Sequence, residues 1–523
     1  MTAPFTEEQD LFRRAVRRFL EAEVAPHAEA WEAAGRIPRE VFRRMGELGF
    51  LGITAPPEYG GQGGDLFFAV AFLEELPRSL MGGFAASVSV QEFMATAHIA
   101  AHGSEGLKRR YWAPSIAGEK VGALAVTEPD AGSDVAALRT TAVGDGGDYV
   151  VTGSKTFITN GAEGDFYTTA VRTEGPGVGG ISLLVIDAGT PGVKVARRLR
   201  KVGWHASDTA ELVFEGARVP RENLVGPENG GFGLLVEAFT LERLCAAAIA
   251  VGSAELALET TVRYLGERRA FGKPLHAFQA LTHRLADAAA RLEAARHLTY
   301  HLARLLMEGR PAVAEAAMAK LVSTELLVEL ADLCLQCHGG YGYMEEYPAA
   351  RFFRDARAST LAGGTSEIMR EIVARTLVER FAADSPLSPP NIGKEKPMNK
   401  ETTPTPPASP SASQGPLTVE AIARSLPGRF LAEKAEGWKS VFHYRIKGAE
   451  KPEWTVKIDG GACTVEEGHQ GSPDCVVEMK EDTFLAVETG KMNPQTAFLM
   501  GRVRVSNLTE MMRFIKLFRP LDR

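Results

Sequence analysis

At 523 residues the chain exceeds what one hydrophobic core supports, so several domains are expected. Its 45% hydrophobic and 24% charged residues are those of an ordinary globular protein, and a net charge of -7 argues against a nucleic-acid partner. No apolar run reaches the roughly 18 residues of a membrane span, and Met1 to Asp10 lacks the basic and apolar regions of an export signal, so a cytoplasmic protein is expected.

Thr6 and Gln9 stand in capping-box spacing, with Phe5 ahead of them as a hydrophobic staple. Leu11, Phe12, Val16, Phe19 and Leu20 follow at helical intervals, which predicts an amphipathic helix over 6–24. Helical patterns continue through Val41 to Leu48 and the alanine-rich stretch before His102, interrupted by the Gly/Pro-rich loop Pro56 to Gly64. From about Val121 the period shortens, and 149–152, 166–171, 181–186 and 211–214 read as strands between turn clusters. After Gly230 long helical patterns rich in Ala, Leu, Glu and Arg return and last until about Phe381. Residues 382–416, crowded with Pro, Ser and Thr, bury too little apolar surface to offset their ordering entropy and read as a linker. Beyond them comes a helix, several short strands around Trp454 and Cys475, and terminal helices. The expected division is 1–118 helical, 119–228 β, 229–381 helical, 382–416 linker and 417–523 a separate module. The five cysteines are scattered, and the Cys334/Cys337 pair lacks a second pair to complete a zinc site, so buried thiols and no metal are expected.

Chemistry concentrates in five segments: Ala125-Val-Thr-Glu-Pro-Asp-Ala-Gly-Ser-Asp134, Lys155-Thr-Phe-Ile-Thr-Asn-Gly161, Arg268-Arg-Ala-Phe-Gly-Lys273, Gln336-Cys-His-Gly-Gly-Tyr-Gly342 and Gly364-Thr-Ser-Glu367. Val126 and Thr127 fall where a strand ends in a turn, a place that offers backbone N–H groups and a hydroxyl to a ligand. Arg268 supplies a bidentate fork for pyrophosphate, and Gly339 and Gly340 let backbone approach a ligand closely. Taken singly, each has a plainer reading as a turn or a solvated charge.

Together these segments resemble the acyl-CoA dehydrogenase family over nearly all of positions 5 to 381. The resemblance implies an N-terminal all-α domain, a middle β-barrel-like domain, a C-terminal α-helical bundle, and FAD as cofactor. It implies that Val126 and Thr127 meet the flavin's polar edge, that Ser133 lies beside the flavin and the thioester end of acyl-CoA, and that Thr159 hydrogen-bonds the flavin. Phe157 stands where the family often has Trp; it would cover one face of the ring system without an N–H to donate. In similar proteins Arg268, Phe271, Gln279, Gln336 and Gly340 reach the FAD of a neighbouring subunit, and Thr365 and Glu367 lie near the adenosine portion. A homo-oligomer, tetramer or dimer, is therefore expected.

The family often places its catalytic glutamate directly before Gly-Thr-Ser, but here Gly363 occupies that position. A branch that includes long-chain and isovaleryl-CoA dehydrogenases brings its base from a helix, in a segment like Phe239-Thr-Leu-Glu-Arg-Leu244, and Glu242 matches it. The resemblance then gives Glu242 as the base that takes the α-proton and the Gly363 N–H as donor to the thioester carbonyl, with Arg243 contacting CoA. The implied reaction yields trans-2-enoyl-CoA and reduced FAD, with an electron-transfer flavoprotein as acceptor and oxygen not excluded. Gly203-Trp-His-Ala-Ser-Asp-Thr-Ala-Glu-Leu212 resembles the long-chain branch, so medium to long linear acyl chains are preferred, and His205 within it reads as a surface or packing histidine.

Residues 417 to 520 resemble the sterol-carrier-protein-2 family through Trp454-Thr-Val-Lys-Ile-Asp-Gly, Pro473-Asp-Cys-Val-Val-Glu-Met and Gly490 to Val505. This implies an α/β fold around an apolar tunnel for a lipid ligand. Phe484, Leu485, Phe498, Leu499, Met511, Met512 and Phe514 either line such a tunnel or form plain core. Rival readings are a non-catalytic acyl-CoA or lipid-binding protein that lost the usual base, a short branched-chain dehydrogenase, and an oxidase on the same scaffold.

Overall fold

The computed structural model describes residues 5–383, 418–435, 437–489, 502–514 and 517–519. It forms two compact units, Met1–Val373 and Ala374–Arg523. The first begins with the expected helix, Glu7–Phe19, which Thr6 caps in a complete capping box with Gln9 and which a π-turn over Leu20–Val24 extends. Phe5 is turned toward Phe67 and Tyr300, with ring centroids 6.0 and 5.5 Å away. Arg13 and Arg17 of this helix pair with buried Glu75 of helix Leu66–Glu75 at 2.6 and 2.8 Å, while Glu74 beside it meets Arg296. Such charges tolerate burial because each carboxylate has guanidinium partners.

The middle of the unit is one eight-stranded sheet, in the order 193–198, 209–220, 148–159, 141–145, 166–172, 181–187, 224–225, with 122–125 paired in parallel to 166–172. All four predicted strands lie within it. Both faces are covered, which explains the near-continuous apolar runs. Tyr167, Val171, Leu184 and Ile186 join one buried cluster, while Phe166, Ala170, Leu183 and Val185 face Ile99, Leu107, Tyr111 and Leu235 in another.

Five helices then follow, Gly231–Glu267, Gln279–Met307, Val313–His338, Pro348–Ser359 and Ser366–Ala383. The first approaches helix Leu66–Glu75 so closely that a Cβ at Gly252 would come within 2.1 Å of the Glu74 carbonyl oxygen. Only glycine permits that contact. All five cysteines are buried and unpaired. His205, between strands 193–198 and 209–220, is partly exposed, its Nε2 3.0 Å from the Lys201 carbonyl oxygen.

The second unit is a five-stranded sheet ordered 462–467, 453–459, 439–447, 475–480, 503–505, with helices Val419–Arg429, Glu481–Glu488 and Leu508–Phe514. Strands 439–447 and 475–480 run parallel and the other pairs antiparallel. Trp454 is buried, and its indole N–H donates to the Lys451 carbonyl at 2.9 Å. Phe484 and Phe514 are buried among Phe442 and Tyr444, with Leu485 and Met511 packed against them. Phe498, Leu499 and the Met512 side chain lie outside the described residues, as does the expected linker from 384 onward. Among the described residues no helix is long and apolar enough to cross a membrane.

Candidate active site

Helix Gly231–Glu267 presents one stripe of side chains to a cavity of about 190 Å³ in the first unit. Glu242, Ala246, Ile249, Ala250, Ser253 and Leu256 recur every three or four residues, which on an α-helix is a single face. Phe352, Asp355, Ala356 and Ser359 of helix Pro348–Ser359 form another wall, continued by Ala362 and Gly363 in the turn that follows. Ala86, Ser89, Val90 and Met94 contribute from the N-terminal helices, and Thr159 and Trp204 from the sheet domain. Three residues singled out in the sequence, Glu242, Gly363 and Thr159, thus meet around one largely apolar space.

Glu242 is 7% exposed, and its Oε1 is buried without a hydrogen-bond partner. Burial pushes its carboxyl up to about 7, against the opposing pull of the neighbouring Arg243 guanidinium. Arg243 is itself buried, with its guanidinium carbon 5.8 Å from the centre of the Phe239 ring and its Nε unpartnered. Asp355 is raised to about 6 by burial, with the nearby Glu32 charge adding to it, yet both its oxygens are occupied. They accept the Gly82 and Trp204 backbone N–H groups at 2.9 and 2.7 Å, so Asp355 ties three segments of the wall together. The turn carrying Gly363 is left-handed at two successive residues, with φ +67° at Gly363 and +93° at Gly364. A Cβ at 363 would meet nothing within 4 Å. The Gly364 carbonyl accepts from the buried Lys320 ammonium at 2.7 Å.

The two segments Ala125–Asp134 and Lys155–Gly161 are laced together where strand 122–125 ends. Thr127 Oγ1 donates to the Thr156 carbonyl, the Thr156 N–H returns to the Thr127 carbonyl at 2.9 Å, and Lys155 Nζ reaches both the Val126 carbonyl at 3.0 Å and Glu128 at 2.8 Å. Val126 is buried and Ser133 exposed. Phe157 is 70% exposed with φ +60°, a left-handed conformation that costs a non-glycine residue about 1–2 kcal/mol.

Six further candidates, Arg268, Phe271, Gln279, Gln336, Gly339 and Gly340, are exposed beyond the end of helix Gly231–Glu267, whereas Thr365 and Glu367 follow directly on the Gly363–Gly364 turn. Arg268, just past the end of helix Gly231–Glu267, holds its guanidinium carbon 5.5 Å from the centre of the Tyr341 ring. Phe271 is 94% exposed at φ +51°, 6.1 Å from Phe278, and Gln279 opens the next helix. Tyr264 joins this region to the 336–343 turn by donating to the His338 carbonyl at 3.2 Å and stacking on its ring. Gln336, Gly339 and Gly340 are exposed there, and a Cβ on either glycine would meet nothing. Thr365 accepts the Ile368 N–H at the start of helix Ser366–Ala383, with Glu367 exposed beside it.

The cavity also contains residues that motif reading missed. Ala246, Ala250 and Ser253 left a legible signal, small residues at helical spacing from Glu242. Outside the cavity lining, Lys320 behind the Gly363–Gly364 turn left none, because a lysine within a helix ordinarily reads as a solvated charge. Among the described residues no group of His, Cys, Asp and Glu could hold a metal ion.

Family models for the N-terminal, middle and C-terminal domains of acyl-CoA dehydrogenase match residues 6–119, 123–217 and 229–378, and one for the SCP-2 sterol transfer family matches 423–519. An acyl-CoA dehydrogenase of Bacillus subtilis is 40% identical over 71% of this chain and 98% of its own length. The mitochondrial long-chain specific acyl-CoA dehydrogenase of Sus scrofa is 40% identical over 72% and 87%. The crystal structure of an acyl-CoA dehydrogenase from Geobacillus kaustophilus is similar at a TM-score of 0.69 and 42% identity, covering 72% of this chain and all of that one.

Proposed function

This chain belongs to the acyl-CoA dehydrogenase family, with an SCP-2 domain behind the enzyme, and on that premise we propose that it oxidises medium- to long-chain fatty acyl-CoA to trans-2-enoyl-CoA with Glu242 as the base. One observation carries the reading: a buried carboxyl with an unpartnered oxygen shares an apolar cavity with the side-chain-free Gly363. A carboxylate there takes the α-proton of a thioester, and the Gly363 N–H donates to the carbonyl oxygen as negative charge develops on it. Its raised pKa makes Glu242 a stronger base than an exposed carboxylate while leaving it ionised above about pH 7.

The family's members are flavoproteins, and the residues present fit FAD. An exposed aromatic at Phe157, the hydroxyls of Thr127 and Thr159, the Arg268 fork and the open backbone at Gly339 and Gly340 supply ring cover, polar contacts and phosphate donors. Val126, Ser133, Thr365 and Glu367 complete that assignment, with Arg268, Phe271, Gln279, Gln336 and Gly340 acting on the flavin of a neighbouring subunit. Bound flavin supplies the acceptor for the hydride that leaves the β-carbon. A homo-oligomer, dimer or tetramer, and an electron-transfer flavoprotein as electron acceptor belong to the same proposal.

The length of the cavity's stripe supports the medium- to long-chain reading. From Glu242 to Leu256 is fourteen residues, about 21 Å of helix at 1.5 Å each. At roughly 1.3 Å of advance per carbon for 1.5 Å carbon–carbon bonds, that helix length equals an extended chain of about sixteen carbons. The second unit is proposed to bind lipid, supported by the aromatic and thioether side chains of Phe484, Met511 and Phe514 in one apolar cluster.

The test is anaerobic: the visible flavin band of the purified protein should bleach on adding octanoyl- or palmitoyl-CoA. E242Q should keep the colour and lose the bleaching by at least 100-fold in rate, the usual scale for removing a general base. Retained turnover in E242Q would overturn the assignment, and rapid peroxide formation in air would replace the flavoprotein acceptor with oxygen.

A further inference from the structure

The Gly363–Gly364 turn is closed at its base by the Ser366 N–H on the Thr360 carbonyl at 3.1 Å, but its tip carries no packed side chain. Two consecutive glycines carry no side chains to pack and have the greatest backbone freedom to lose, and open space surrounds the Cβ position of Gly363. Something outside the turn must hold its N–H on target. Lys320 projects from helix Val313–His338, is fully buried, and donates its ammonium to the Gly364 carbonyl at 2.7 Å. A buried ammonium on a backbone carbonyl is costly to desolvate and unusual as mere packing.

We propose that Lys320 is a positioning residue for this reaction, its ammonium clamping the Gly363–Gly364 turn so that the Gly363 N–H and the Glu242 carboxyl stay directed at the same substrate. The clamp rests on the proposed role of Glu242 and adds a second function to it. In the step itself the α-proton passes from the substrate to Glu242, and negative charge moves from that carboxylate toward the thioester oxygen at Gly363. Lys320 stays cationic throughout, behind the turn that receives the charge, and favours the transfer electrostatically.

The charged groups around Lys320 come from three elements: Arg243 on helix Gly231–Glu267, Glu325 on its own helix and Glu367 on helix Ser366–Ala383. Burial and the Arg243 guanidinium bring the ammonium down to about 8, against the weaker opposing pull of the two glutamates. Below that pH the clamp is charged. Above it the neutral amine donates more weakly and no positive charge backs the turn, so turnover should fall through an alkaline limb near pH 8, separate from the Glu242 limb near 7.

The experiment uses the full-length holoenzyme, wild type, K320R and K320M. K320M should lose kcat on the order of 10- to 100-fold, the scale of a displaced reacting group, with KM for palmitoyl-CoA changed less than threefold. K320R, charged at every accessible pH, should recover part of kcat and lack the alkaline limb. Independently of turnover, K320M should bind acetoacetyl-CoA, an enolisable ligand, but show a weakened long-wavelength absorption band from its enolate against the flavin. Wild-type kcat and pH profile in K320M would overturn the proposal. So would a wild-type profile that stays flat between pH 7 and 9.5, a measurement that stands even if K320M does not fold. E242Q separates the two readings: if it is inactive while K320M behaves as wild type, the base stands and the clamp fails.

Discussion

Glu242 has no compensating partner for the oxygen it buries, so its ionisation opposes folding. Its folded pKa of about 7 lies above the ordinary 4.5, so the folded state holds its proton over a pH range where the unfolded chain has released it. Stability therefore falls as pH rises from about 4.5 to 7, and the full cost persists above. E242Q should melt higher than wild type at pH 8, by a difference of a few kcal/mol at most, and the gap should vanish below pH 4.5. Thermal unfolding across that range checks it; equal melting temperatures at pH 8 would mean the carboxyl finds a partner. Phe157 shows the same trade in backbone form, since a left-handed phenylalanine with its ring exposed is stable only if neighbouring contacts hold it.

The long helix Gly231–Glu267 does two jobs that its sequence must reconcile. One side approaches helix Leu66–Glu75 at Gly252, where a side chain would collide with backbone, while the cavity stripe needs small residues to leave room. Ser253 lies eleven residues beyond Glu242, about 16 Å along the stripe. S253F should block the far portion of the track, cutting kcat/KM for palmitoyl-CoA more than tenfold while leaving octanoyl-CoA within threefold. Equal losses on both substrates would show that the chain does not follow this helix. At the opposite end of the same helix, Arg268 and the 336–343 turn lie on an exposed surface, so a single element addresses both the acyl chain and the proposed pyrophosphate contact.

At the scale of the molecule, the enzyme unit and the SCP-2 unit each have their own buried core. A carrier tethered to an enzyme raises local ligand concentration without needing a fixed interface between them. A chain ending at residue 383 should therefore keep its kcat on octanoyl-CoA. On palmitoyl-CoA at concentrations well below KM it should turn over more slowly than the full-length protein. Identical rates at every concentration would leave the second unit with a role other than delivery.

Local chemistry was enough to establish much of this from residue order. The Thr6/Gln9 capping box and the four strands between turn clusters each follow from short-range geometry, and the family resemblance pointed to Glu242 although the customary position holds Gly363. Burial was the part decided in three dimensions. Whether a glutamate is solvated or raised to about 7, whether Asp355 supports a wall, and whether Lys320 points at water or at the Gly364 carbonyl all depend on segments far apart in the chain. Charged side chains carry no local mark of their surroundings, because their energies are set by desolvation and by neighbours that only folding brings within reach.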